Sequence, residues 1–385
     1  MKKFFEIIKS EFFHFINEPA ALLIMVIGVI AYAVFYSLPY SSEIIKEAPI
    51  GIVDMDSSDL SREFIRNIDT TDSLDVVYTA QSKQDAENQF YKNKIKGFII
   101  IPKDFEKDIL RGKQTDISLY ADTSYLIIYK TIYSATAQTA LETAAKFEVG
   151  ALMKKGFTKQ TAMAVKQPFK FVQIPVYNAA GGYETYVYLV ILIMILHQTL
   201  IVGLGIMQGT RNENNEPYCA KEENIGFVMF SRSTFYVLLY MFYSAVYFLI
   251  IPVFCHLPVY YNILPFSIVL LLMFYAAAFF SHTISYVFKT RESAFLIMVV
   301  TSLLFVFLTG LIWPREAMPD LINIISAFIP STLSVDALIK IAYAKASLWD
   351  VKYDVLWIII LVILYYYTGI KALIKSKGEQ SGNNN

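Results

Sequence analysis

The sequence predicts an α-helical polytopic membrane protein of six spans with an inserted extracytoplasmic α/β domain. Three observations carry that expectation. Hydrophobic residues make up 56% of the 385 residues and charged residues only 17%, against about 25% charged in ordinary soluble domains. The apolar residues gather in long runs almost free of Asp, Glu, Lys and Arg, while almost all acidic residues fall in residues 40–184 or in short connecting loops. Within 40–184 the pattern alternates between strand and helix signals.

A helix rises about 1.5 Å per residue and the hydrocarbon layer is about 30 Å thick, so a span needs about 20 mainly apolar residues. The segments that meet or approach this length are Ala20–Leu38, Tyr186–Met207, Thr234–Phe254, Leu264–Phe288, Ser293–Ile312 and Val355–Ile370. The last is short and is expected to begin nearer Trp349, an aromatic suited to the interface. The membrane parts are therefore a first span over 19–38 and a five-span domain over 185–375.

Lys and Arg near span ends are retained on the cytoplasmic side. Lys2, Lys3 and Lys9, then Arg211, Lys221 and Arg232, then Lys289 and Arg291, then Lys371, Lys375 and Lys377 all fall on one side if six helices alternate. Both termini, the tail 376–385 and the loop 208–232 are then cytoplasmic, in a bacterial cytoplasmic (inner) membrane, and 40–184 faces out. Arg315, Lys340, Lys345 and Lys352 run against this count, in an outer stretch whose length dilutes the rule. A cleaved signal peptide ending at Ala31 and Ala33 is the competing reading of the N-terminus. The apolar run continues through Val34 and Phe35, which favours an uncleaved span.

Residues 1–18 form a separate element. At 100° per residue, Phe4, Phe5, Ile8, Phe12, Phe15 and Ile16 fall within a third of the circumference, and Lys2, Lys3, Glu6, Lys9, Ser10, His14 and Asn17 occupy the rest. That is an interfacial amphipathic helix resting on membrane lipid, with Pro19 as the break before the crossing helix.

In the insert, strands are expected at Pro49–Val53, Asp75–Tyr78, Gly97–Ile101 and Ile117–Tyr120. Helices are expected at Leu60–Ile68 behind a Ser57 or Ser58 cap, at Lys83–Lys92 and through Leu110 to a Gly112 stop. This βαβαβαβ order predicts a small sheet with helices packed on it. Tyr125–Val165 reads as one or two long helices interrupted at Gly150 or Gly156, and Pro168, Pro175 and Gly181-Gly182 return the chain to the membrane. At about 145 residues the insert is long enough to hold itself together without disulfides. Neither Cys219 nor Cys255 lies in it. Between the last two spans, 319–345 holds two helices, too short to cross, separated by Pro330. A re-entrant pair at the outer face and a hairpin lying flat on the lipid are both compatible with that pattern.

Catalytic chemistry is absent from the pattern. No Gly-x-x-x-x-Gly-Lys-Ser/Thr loop occurs, and Gly203, Gly205 and Gly209 lie at a span end without the lysine or the strand that phosphate cradling requires. No zinc-protease helix, nucleophile elbow or calcium loop occurs, so neither a catalytic residue nor a cofactor nor a metal is expected. Asp54, Asp56 and Asp59 depart from calcium-loop spacing and are expected to cap the following helix. A formal net charge of +0 without a basic stripe gives no reason to expect a nucleic-acid partner. His197, Gln198 and His282 lie deep in spans, where polar groups are expensive. They are candidates for a substrate pathway, with helix–helix hydrogen bonding as the plainer alternative. In the loop 208–232, Pro217 at a first helical position, Tyr218–Asn224 and Gly226 describe a short helix. A helix this short is marginal in water and is expected to dock on a cytoplasmic partner.

Four segments carry a family resemblance: PIGIVDMDSSDLSREFIRNI at 49–68, GFIIIPKDFEKDILRGK at 97–113, HQTLIVGLGIMQGTRNEN at 197–214 and WPREAMPDLINIISAFIPSTLSVDALIKIA at 313–342. The last, with Pro314, Met318-Pro319 and Pro330, is the most specific. By these the chain resembles the permease subunits of type-2 (type V) ABC exporters that carry a large extracytoplasmic domain, over nearly its whole length. The resemblance implies an ATP-binding ABC subunit that grips the N-terminal interfacial helix, whose apolar stripe holds Phe4, Phe5, Ile8 and Phe12, and the loop after the second span, where Arg211, Glu213, Glu216 and Tyr218 are the coupling contacts. It also implies a second permease, identical or a paralogue, that completes the pathway, with a periplasmic adaptor as a further partner. The expected function is outward movement of a hydrophobic or amphipathic substrate, with ATP hydrolysed by the partner chain. An envelope receptor or scaffold anchored by its spans is the alternative from another class, although one span would suffice for anchoring.

Overall fold

The computed structural model describes residues 1–37, 46–166, 183–219, 223–250, 262–284, 290–310 and 313–382. Lys221, Cys255, His256, Lys289 and the return segment with Pro168, Pro175, Gly181 and Gly182 lie outside them. The chain divides into two compact units, Met1–Ser41 with Val176–Asn385, and Ser42–Pro175.

The smaller unit is an α/β layer. Strands β1 (Ala48–Asp54), β2 (Leu74–Ala80), β3 (Gly97–Ile101) and β4 (Ser118–Ala121) form one sheet in the order β2-β1-β3-β4. β1 runs parallel to β2 and β3, and β4 closes the edge antiparallel to β3. β1 is apolar at nearly every position because both of its faces are covered, as parallel central strands require. On one side Ile50, Ile52, Leu74, Ile99 and Ile101 pack with Leu60, Phe64, Phe105 and Ile132. On the other, Val53, Ala80 and Phe98 pack with Ala86 and Ile95. The covering helices are α3 (Asp59–Asp69), α4 (Lys83–Tyr91), α5 (Phe105–Leu110) and α6 (Leu126–Lys154).

Local chemistry fixes the boundaries. Ser58 caps α3 by accepting from the Ser61 amide at 3.1 Å, and Ser82 caps α4 by accepting from Asp85 N at 3.2 Å. Asp54 and Asp56 gather no shared ligand. The Asp54 carboxylate accepts from Ser57 N at 2.9 Å and Ser61 Oγ at 2.8 Å, while Asp56 Oδ2 accepts from Glu106 N at 3.0 Å at the start of α5. Gly112, at φ +72°, ends α5. Gly156, at φ +92°, separates α6 from α7 (Lys159–Lys166), whereas Gly150 stays inside α6.

The larger unit is a helical bundle. The first helix, α1 (Lys2–Ile16), meets α2 at an 87° bend, and α2 runs through Pro19–Leu22, a π-helical stretch Leu23–Gly28 and Val29–Ser37. Then come α8 (Tyr183–Glu213), α9 (Ile225–Ala245, continued by a π-helical Val246–Ile250), α10 (Ile263–Ile284), α11 (Arg291–Leu308), α12 (Asp320–Ala327), α13 (Pro330–Tyr343) and α14 (Lys352–Gly382). Five of these, α8 to α11 and α14, are long and apolar enough to cross a membrane. Two bent pairs, α1 with α2 and α12 with α13 at 90°, raise the count to seven if each is one crossing. The chain is thus a polytopic helical membrane protein with an inserted α/β domain.

The helix bounds differ from the sequence expectation at charged ends. α8 continues past Met207 to Glu213, and α9 begins at Ile225 rather than Thr234. Arg211 and Arg232 are inside the helices because their charges are neutralised there, as shown below. α8 is the central helix, buried for most of its length, whereas α11 is covered almost nowhere.

Candidate functional site

The two ends of α8 are chemically different. At its C-terminal end sits a cluster of charge in an apolar setting. Glu11 of α1 is buried, and its Oε2 accepts from Arg211 Nη2 at 2.5 Å. Arg232 Nε of α9 stands 3.3 Å from the same oxygen, and Glu11 Oε1 accepts from the Tyr236 hydroxyl at 2.7 Å. One carboxylate thus joins three helices. Taking such ions out of water costs several kcal/mol each, which is offset only where the partners are complete. Two cations on one anion leave an excess of positive charge, and the Tyr218 ring lies against it, 4.6 Å from the Arg232 guanidinium carbon and 5.8 Å from that of Arg211. The other edge of Tyr218 meets the His282 ring at 5.8 Å, and His282 Nε2 hydrogen-bonds Ser233 Oγ at 3.2 Å.

The α1 helix reaches this cluster because one face of it is turned to the bundle and the other is exposed. Phe4, Ile7, Ile8, Glu11, His14, Phe15 and Glu18 turn toward the bundle. Phe5, Phe12, Phe13 and Ile16 remain exposed on a second face. Lys2 and Lys9 are interleaved with these, and Glu6 and Lys3 lie beyond Phe13, all of them exposed. Aromatic contacts set the seat: Phe12 and Phe15 lie 6.0 and 5.8 Å from the Phe235 ring, and Phe4 lies 6.4 Å from Phe230. Sequence reading found the apolar stripe and missed Glu11. The signal was there, since an acid follows Phe4 and Ile8 at helical spacing and precedes Phe15.

The coupling residues named from the sequence separate into two kinds. Arg211 and Tyr218 are buried and face inward, so neither offers a surface contact. Glu216 is exposed and Glu213 half-buried. Glu213 accepts from the Arg291 amide at 3.0 Å, a carboxylate on the N-terminus of α11, and this holds α8 and α11 together. Glu216 faces His14 of α1 at 3.9 Å, and Lys3 reaches Glu223 at 3.3 Å.

The expected helix over Tyr218–Asn224 is a correction. None of the described residues in 214–219 and 223–224 is helical. The chain instead leaves α8 through a left-handed Asn215, at φ +52°, with Glu216 N bonded to Arg211 O and Asn215 N to Asn212 O, the Schellman stop. Tyr218 and Cys219 then enter an apolar cluster with Met229, Phe279 and Leu361, a burial that a solvent-facing helix would forfeit. Gly226 is not a C-cap. It lies in the first turn of α9 behind the Asn224 cap, where a Cβ would stand 2.8 Å from the Tyr366 hydroxyl.

His197 and Gln198 lie further along α8. His197 is fully buried with its ring 6.1 Å from that of Phe305. Neither its ring nitrogens nor the Gln198 amide atoms have a hydrogen-bond partner among the described residues. His282 is not grouped with them but belongs to the charged cluster. At the opposite end of α8, Val190 lines a cavity of about 600 Å³ bounded by Thr309, Gly310, Pro314, Arg315, Glu316, Asn323, Val335, Asp336 and Ile339.

A bundle of long apolar helices, organised on one central helix and tied to an N-terminal helix by buried ion pairs, defines a multi-pass membrane protein. The sequence matches the ABC-2 family transporter protein family over residues 20–371, and the chain belongs to that family. It is therefore the permease component of an ABC system, a transport subunit rather than the ATPase itself. No curated protein and no solved structure matches the chain.

Proposed function

We propose that this chain is the membrane subunit of an ATP-driven exporter in the bacterial cytoplasmic membrane, with both termini inside and the α/β unit outside. A separate ATP-binding subunit docks on the exposed Asn214, Asn215, Glu216 and Pro217 and on the exposed face of α1. A second permease, identical or a paralogue, completes a pathway for a hydrophobic or amphipathic substrate, and the α/β unit is the surface for a periplasmic adaptor. Lysine and arginine placement at the span ends supports the sidedness.

The observation that carries this reading is the Glu11–Arg211–Arg232 cluster. A push on α1 or on the 214–217 loop is delivered to α8 and α9 as a rigid displacement, because parting the ions costs more than moving the helices together. His197 and Gln198, polar and without a hydrogen-bond partner among the described residues, are the groups on α8 that a substrate-exposing rearrangement brings into use. The test is ATPase turnover of the co-expressed ATPase and permease, with transport in the same vesicles. Glu216→Lys is expected to reduce permease-stimulated hydrolysis by weakening association, and Glu11→Gln to leave association intact while uncoupling hydrolysis from transport. Wild-type stimulation and transport in both variants would overturn the assignment.

A further inference from the structure

The cavity at the Val190 end of α8 is unlike the charged cluster at the other end. Val190 and Arg211 are 21 residues apart on one helix, about 32 Å at 1.5 Å per residue, the thickness of the hydrocarbon layer. The cavity thus opens at the membrane face opposite the charged cluster. Its walls come from α8, from the turn after α11 and from the bent pair α12 and α13.

Its construction is pre-formed. Gly310, at φ +90°, turns the chain so that the Arg315 side chain lies over it, where a Cβ would stand 2.9 Å from Arg315 Cγ. The Asn323 amide donates to Arg315 O at 2.8 Å and to Met318 O at 3.3 Å, which pins the short turn Arg315–Ala317 against α12. The Trp313 indole N–H donates to Ala317 O at 3.2 Å from the other side.

Charge and apolar surface are separated inside it. Val190, Val335 and Ile339 make one wall. Among the described residues the charged lining is one cation, Arg315, against two carboxylates, Glu316 and Asp336, a net negative charge. Arg315 Nη1 donates to Asp336 Oδ2 at 3.1 Å, while the buried Asn323 Oδ1 and Arg315 Nε have no hydrogen-bond partner among the described residues. The nearest lysine on α13, Lys340, is taken by Asp354 of α14 at 2.9 Å. Glu316 is exposed at the mouth with no ion-pair partner among the described residues.

We propose that this cavity is a binding site for an ammonium-bearing amphiphile, with the apolar tail on Val190, Val335 and Ile339 and the cationic head between Glu316 and Asp336. A volume of about 600 Å³ lies in the range of small-ligand sites, roughly 300–1,000 Å³. An anionic head is disfavoured by the net negative lining. The inference rests on the permease reading and names the substrate class at the pathway's far end.

The test is equilibrium dialysis of tritiated decylamine against the full chain in neutral-lipid nanodiscs, with empty nanodiscs subtracted and decanoate and decanol as competing probes. Decylamine is expected to bind saturably and to resist competition by decanoate. Glu316→Gln, at an exposed position, is expected to weaken it about fivefold, the upper end for an exposed charge pair. Ile339→Trp, which fills a half-buried wall position, is expected to abolish it while the thermal transition stays in place. Binding unchanged in both variants, or decanoate binding as tightly, overturns the site. Because no ATPase is present, the outcomes separate: bound decylamine with no ATP-driven transport in the complete complex would sink the exporter reading and leave the site standing.

Discussion

Glu11 and Arg211, 200 positions apart in the chain, meet in an ion pair of 2.5 Å with side chains only 2% and 5% exposed. This contact turns the N-terminal helix from a surface float into part of the bundle. Removing the carboxylate leaves two arginines facing each other in a desolvated site, so Glu11→Gln is expected to destabilise the detergent-solubilised protein by about 3 kcal/mol. The second mutation Arg211→Met on that background is expected to recover part of the loss, because a neutral apolar chain needs no partner. Thermal unfolding of the two single variants and the double variant measures the coupling, and strict additivity would sink the claim that the pair acts as a unit.

The packing of α8 on α11 gives a second expectation. Gly209 lies under the start of α11, where a Cβ would stand 2.7 Å from the Arg291 backbone nitrogen and 2.8 Å from the Thr290 carbonyl carbon. Backbone cannot rotate away. Gly209→Ala should therefore cost about 1–3 kcal/mol and pull the Arg291 amide off Glu213. The three atoms nearest a Cβ at Gly203 all belong to the Met25 side chain, which can change rotamer where backbone cannot, so Gly203→Ala should cost less. A larger loss of unfolding temperature for the second variant than for the first would contradict this ordering.

How far the sequence anticipated this architecture depends on the range of the interactions. The insert was readable because its signals are local. Ser58 and Ser82 cap where hydroxyl residues precede helical patterns, and β1 and β3 are apolar runs ended by Asp54 and Pro102. The bundle's composition marked its helices equally well. The pairing in the charged cluster was not readable: spacing marks Glu11 as lying on the packed side of α1, but its partners are 200 and 221 positions away. The loop failed for the same reason in reverse: Pro217 and its neighbours make a plausible local helix, and the burial of Tyr218 against His282, 64 positions later, overrules it.

The α/β unit carries a pH dependence that can be assigned. Burial works to raise the pKa of Asp56, but hydrogen bonds from Ser58 and from the amides of Asp104, Phe105 and Glu106 outweigh it and hold the carboxyl below its ordinary 3.8. A depressed folded-state value contributes stability above the unfolded value, and that contribution is lost as pH falls below about 3.8 toward the folded value. Asp56→Asn should be less stable than wild type at neutral pH and should show a shallower loss between pH 5 and pH 3, since roughly one linked proton is gone. Circular dichroism of the full chain across that range is the measurement, and parallel curves would remove Asp56 from the account.

Tyr218 offers the sharpest separation between packing and polarity. Its hydroxyl is buried without a hydrogen-bond partner among the described residues, while its ring supports Arg211 and Arg232 on one side and His282 on the other. A buried polar group without a partner is a cost, so Tyr218→Phe should be neutral or slightly stabilising. Tyr218→Ala should lose about 3–5 kcal/mol, the range for removing a large buried aromatic, and with it the π face that offsets the second arginine. If the cluster transmits motion from the loop to α8 and α9, the Phe variant keeps ATPase stimulation at the wild-type level. The Ala variant, assayed at a temperature where it remains folded, loses most of it. Equal stimulation in the two folded variants would assign Tyr218 to packing alone, and loss in the Phe variant would mean that the hydroxyl finds a partner in another conformation of the transport cycle.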